Sequence, residues 1–96
     1  MEEIVLRFAR GSADAAKLQE TIEQVLADAD LAGRADVPDR VEVREEAQGF
    51  DPVTVAILVT LVKLSGRVAT DIWEDEIWPR VRRRLDDDAL GERRDE

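Results

Sequence analysis

The sequence predicts an α+β fold, a small β-α-β unit followed by a helical C-terminal half. Three observations carry this. Segments 3–9 (EIVLRFA) and 40–46 (RVEVREE) have the short alternating patterns of strands. Residues 14–29 between them repeat apolar side chains at helical spacing. An uncharged run at 52–62 (PVTVAILVTLV) then opens a half whose apolar residues keep roughly helical spacing to Val81. At 96 residues the chain suits one domain, placed at 1–90, with 91–96 a disordered charged tail.

In the first strand Val5 faces one side and Leu6 and Phe8 the other. Arg10-Gly11-Ser12 signals a turn, and Ser12 or Asp14 can cap the helix that follows by accepting from an orphan N–H. In that helix Leu18, Ile22, Val25, Leu26 and Ala29 form one apolar stripe. Gly33 sits where a C′ glycine would end it. A loop around Pro38 leads to the second strand, with Val41 and Val43 on one face and charges on the other. The intervening helix permits a right-handed crossover and a parallel strand pair.

After a linker at 47–50, Asp51-Pro52 has the form of a helix start. The β-branched content of 52–62 also suits a strand, but cap, length and continuation favour a long apolar helix. A single helix from Pro52 to Trp78 would be about 40 Å long, so a bend or break is expected near Ser65-Gly66. The alternative is a projecting helix that needs a partner. A kink is expected near Pro79, which disfavours the α region at Trp78. Trp73 and Trp78 are five positions apart, about 140° around a regular helix, so they are expected to be separate anchors and not a stacked platform.

Composition excludes more than it supports. The chain has no His, Cys, Tyr or Asn. It therefore offers no disulfide framework, thiolate nucleophile, Cys/His zinc site or histidine acid–base. A net charge of −9 opposes nucleic-acid binding through a basic field. The start, Met1-Glu2-Glu3-Ile4, lacks the pattern of a signal peptide, and a cytoplasmic location is expected.

Candidate chemistry is sparse. Asp86-Asp87-Asp88 lacks the spacing of a calcium loop, and Glu74-Asp75-Glu76 diverge around a helix. Arg80, Arg82, Arg83 and Arg84 form a basic cluster that can meet phosphate, lipid headgroups or an acidic partner, or pair internally. Ser12, Ser65 and the four Thr have no histidine base. No glycine pattern matches a phosphate or dinucleotide loop. The expectation is no enzyme, no cofactor, no metal and no small-molecule substrate.

The EIVLRF strand, the LQETIEQVLAD helix, the RVEVREE strand and the apolar FDPVTVAILVTLV segment together resemble the effector-associated domains, constant component type, of actinobacterial conflict systems. The resemblance covers about residues 3 to 70. It implies a non-catalytic adaptor that recruits or scaffolds an effector by protein–protein contact, and it carries over no site residues.

The expected function is thus a protein–protein interaction or assembly module, self-associating or bound to a protein partner. Its contact is expected at Val53, Ile57, Leu61, Leu64, Val68, Ile72, Trp73, Ile77 and Trp78. Of these, Ile72, Trp73, Ile77 and Trp78 are expected to anchor either the domain body or a second chain. Two alternatives stand beside this. One is a small membrane-active protein using the apolar helix at 52–64, against which the negative charge and short run count. The other is an acidic, antitoxin-like neutraliser of a basic partner.

Overall fold

The computed structural model describes residues 1–47 and 55–93. In order they form β1 (Glu2–Arg10), α1 (Ala15–Leu26), β2 (Arg40–Ala47), β3 (Val55–Lys63), α2 (Thr70–Ile72), a π-helical stretch (Trp73–Ile77), α3 (Trp78–Arg84) and β4 (Leu90–Arg93). The strands make one antiparallel sheet in the order β2-β3-β1-β4. β1 and β2 run parallel but do not pair, because β3 lies between them. β1 likewise separates β3 from β4. Both β-α-β units are therefore split by a strand, the ferredoxin-like topology.

This corrects the expected fold class. The segment 55–63, expected within a long apolar helix bent near Ser65-Gly66, is a strand. The expected adjacent parallel pair is absent, since β3 separates its two members. The physical reason lies in position and composition. Five of the nine residues of β3 are β-branched, which favours the pleated conformation. An interior strand covered on both faces also loses the apolar–polar alternation that identifies edge strands. Ile57, Val59 and Leu61 point into the helix-side core, while Ala56, Leu58, Thr60 and Val62 alternate with them and are also buried. The expected Asp51-Pro52 helix start lies outside the described residues. Ser65-Gly66 does turn the chain, with Gly66 at φ 92°, but it ends a strand there. β4 takes in Gly91, Glu92 and Arg93, positions expected in the tail; residues 94–96 lie outside the described residues.

The first half follows its pattern closely. Asp14 is the cap, its carboxylate accepting from the Lys17 N–H at 2.7 Å. α1 buries Leu18, Thr21, Ile22 and Val25 against the sheet. It stops at Leu26, and Gly33, at φ 84°, closes the turns beyond it. On the same side Leu6, Phe8, Val41, Ile72, Trp73, Ile77 and Val81 complete the core.

α2, the π stretch and α3 run on as one helix through Pro79, the position where a kink is expected. Proline lacks an N–H, and its ring clashes with the carbonyl four residues back. The π stretch accommodates both demands: the Trp78 N–H bonds to the Trp73 carbonyl, five residues earlier, and widens the turn before Pro79.

Candidate functional site

The two helical segments occupy one face of the sheet. Among the described residues no helix or strand packs on the other. Strand registry sets out its side chains in rows across β2, β3 and β1. The rows are Arg40–Val62–Glu3, Glu42–Thr60–Val5, Arg44–Leu58–Arg7 and Glu46–Ala56–Ala9. A mostly apolar column on β3, itself buried, is thus bordered along β2 by charges that alternate in sign. Arg40 and Glu42 approach to 3.8 Å, in keeping with a shared face. Val5 is 55% exposed, and Met1 and Leu64, 79% and 63% exposed, lie together at the end where Glu2 pairs with Lys63. An exposed apolar area rimmed by polar groups is the usual form of a protein-binding surface.

The free edge of β2 is guarded. Gln19 on α1 donates from Nε2 to the Val41 carbonyl at 2.7 Å and accepts at Oε1 from the Val43 N–H at 2.6 Å. The side-chain amide thereby occupies two backbone groups that another strand would use.

Other charged groups serve the fold. Of the basic cluster, Arg80 pairs with Asp28 and Asp30, and Arg84 with Asp28 at 2.9 Å. These pairs tie α3 to the turn after α1. Arg83 donates to the Pro79 carbonyl, and Arg82 is exposed. Arg34 bridges Asp36 and Glu76, and Arg93 meets Glu74 at 2.9 Å. The Arg80 hydrogen bond lowers the Asp30 carboxyl to about 2, and the Arg34 hydrogen bond also lowers Asp36. The Leu64 N–H lowers Asp39, with Lys63 adding to it. Lys63 is buried, donating to the Val37 carbonyl at 3.1 Å and pairing with Asp39 at 3.5 Å. Ser12 Oγ donates to Asp88 at 3.1 Å, bracing the first turn against the last. Among the described residues no group of three or more acidic side chains is placed to hold a metal ion.

The expected contact residues are mostly inside. Ile57, Leu61, Val68, Ile72, Trp73 and Ile77 are buried in the chain's own core, and Trp78 is half-buried against it. Leu64 is exposed, and Val53 lies outside the described residues. The exposed apolar surface of this fold is instead Met1, Val5 and Leu64 beside the β2 charges. The sequence hides it because its key columns come from three separated strands, and only the registry assembles them. The one local signal was the alternation of Arg40, Glu42, Arg44 and Glu46.

No protein-family model, curated protein or solved structure matches this chain. No helix among the described residues is long and apolar enough to cross a membrane. The apolar helix on which the membrane-active alternative relied is β3 over 55–63.

Proposed function

We propose that this chain is a non-catalytic protein-interaction module that works through exposed residues on the helix-free face of its sheet. The observation that carries the reading is the combination on that face of the exposed Met1, Val5 and Leu64 with the alternating charges of β2. Exposed apolar side chains and neighbouring charges divide the labour of a recognition surface, the first supplying affinity and the second register. The absence of Cys accords with action in the cytoplasm. The resemblance of residues 3 to 70 to effector-associated domains supports an adaptor role in a bacterial conflict system.

Site-specific photo-cross-linking in cells tests this. A photoreactive residue at Val5 is compared with one at Arg83, on the exposed side of α3. Intermolecular adducts are expected from position 5, identified by mass spectrometry and reconstituted from purified proteins. The reconstituted complex should be lost on Leu64→Arg, a substitution at an exposed position, in a chain that still folds. Adducts from position 83 alone, or only intramolecular products at position 5, would overturn the assignment.

A further inference from the structure

We propose that β2 is a latched, self-pairing edge. Two copies of this chain join antiparallel along β2, about a two-fold axis normal to the sheet at Val43, when Gln19 swings away from it. This goes beyond the interaction face described above, because the contact is made by the rim of the sheet. β2 is an outer strand, paired only with β3. The Gln19 bonds to the Val41 carbonyl and the Val43 N–H mark these residues as the ones whose peptide groups point away from β3. The alternation of an antiparallel strand adds Glu45 to that outward set. In a pair centred on Val43, Val43 exchanges bonds with its own copy, and Val41 exchanges them with the copy's Glu45.

The charge order along β2 selects both partner and registry. Arg40, Glu42, Arg44 and Glu46 are exposed and share one face in the order plus, minus, plus, minus. Centred on Val43, Arg40 lies beside the copy's Glu46 and Glu42 beside its Arg44, each contact occurring twice. Opposite charges side by side on neighbouring strands attract, and like charges repel. A centre at Glu42 sets Glu42 beside itself and Arg40 beside Arg44. A centre at Arg44 sets Arg44 beside itself and Glu42 beside Glu46. A centre at Val41 leaves Arg44 and Glu46 beyond the end of the partner strand, and one at Glu45 sets that carboxylate beside itself. Within the chain Arg40 and Glu42 approach only to 3.8 Å, both more than half exposed, so each is available to a neighbour.

Gln19 is placed to act as the latch. It is half-buried and lies off the Leu18, Ile22 and Val25 stripe that holds α1 to the sheet. It borders a cavity of about 490 Å³, shared with Glu23 and residues 40–44, that gives the copy's strand room beside β2. A side-chain rotation into water therefore clears the edge without moving the helix, and the copy's backbone replaces the lost bonds in kind. The axis normal to the sheet leaves the exposed Val5 of both copies on one side of a continuous sheet.

Sedimentation equilibrium of the full chain tests this, with circular dichroism confirming that each variant is folded. Wild type is expected to dimerise weakly, because each copy must first release Gln19. Gln19→Ala, read below the concentration at which a bared edge aggregates, should lower the dimer dissociation constant roughly tenfold or more. Glu42→Arg and Arg44→Glu, each made in the wild-type chain, should raise it roughly tenfold. An equimolar mixture of those two variants should recover dimer. Glu45→Pro should abolish pairing in a folded monomer, since the N–H it removes points outward. A wild type or Gln19→Ala chain that stays monomeric at every concentration overturns the proposal. So does a dimer indifferent to charge exchange or to Glu45→Pro, or a mixture that fails to recover. Position 5 lies on β1, with β3 between it and β2, so its cross-links report on the interaction face independently of this edge.

Discussion

Trp73 and Trp78 stack with ring centroids 5.9 Å apart and planes inclined by 19°, although five positions separate them. A regular helix would turn the two side chains about 140° apart. The π stretch between them has a wider turn, which brings residues i and i+5 to the same side. Trp73 is buried and also lies 6.1 Å from Phe8 on β1, so the pair joins the second helix to the sheet. Trp78 covers the outer side of Trp73 and remains half-buried. Trp73→Ala should therefore cost about 3–5 kcal/mol, close to the whole stability of a small domain. Trp78→Ala should cost markedly less. Urea titrations of the two variants check the order, and equal losses would contradict the inner and outer placement.

Pro79 supplies the reason for the wide turn, so Pro79→Ala should relax it. With a donor restored at position 79, the helix can close regular bonds and carry Trp78 away from Trp73. Near-ultraviolet circular dichroism should show a smaller tryptophan signal with helix content retained. An unchanged signal would mean that packing of the two rings, and not the proline, holds the π stretch.

Local patterns in the sequence account for β1, α1, the Asp14 cap and β2, because each of these declares itself through its own neighbours. What escaped was non-local. The apolar run at 55–63 is equally compatible with a buried helix and an interior strand, and only its partners on both sides decide for the strand. The tail position of β4 follows from pairing with β1, for which Leu90-Gly91-Glu92-Arg93 holds little β propensity of its own. The tryptophan stack was excluded by assuming regular helical geometry from Trp73 to Trp78, where the chain is π-helical. The candidate surface needed three strands in register before it existed at all.

Gln19 offers a test of how the β2 edge is protected. Gln19→Ala removes a donor and an acceptor from partly buried backbone groups at Val41 and Val43, at a cost of about 1–3 kcal/mol. It also opens the edge to another strand. The variant should show lower urea stability and a concentration-dependent rise in thioflavin-positive aggregate. Glu20→Ala, on the exposed side of the same helix, serves as control. Aggregation equal to wild type would show that the amide does not guard the edge.

Gly11 is required by a close approach of two turns. A Cβ at this position would lie 2.2 Å from the Asp88 carbonyl oxygen and 2.5 Å from the Ala89 carbonyl carbon. The Ser12 N–H bonds to that Asp88 oxygen at 2.8 Å, so neither turn can retreat without breaking the junction between β1 and β4. Gly11→Ala should destabilise by about 1–3 kcal/mol, the usual cost of forcing atoms into filled space. Gly33→Ala tests a different effect, since nothing lies within 4 Å there and only its positive φ resists substitution. Thermal melts should rank Gly11→Ala as the more damaging; the reverse order would contradict the packing argument.

The turn after α1 should set the acid sensitivity of the fold. The Arg80 hydrogen bond lowers the Asp30 carboxyl to about 2 from an ordinary value of 3.8, and Asp36 and Asp39 are lowered by Arg34 and by the Leu64 N–H respectively. A depressed carboxyl stabilises the folded chain fully above its unfolded value, and the gain disappears as pH falls through its folded value. For Asp30 that window runs from about pH 4 down to about pH 2. The pair is exposed on the Asp30 side, so salt should weaken the effect. Asp30→Asn should lower the urea midpoint at neutral pH, and the gap to wild type should close as the pH is taken down through that window. A gap that stays constant across it would show that Asp30 gains nothing from Arg80.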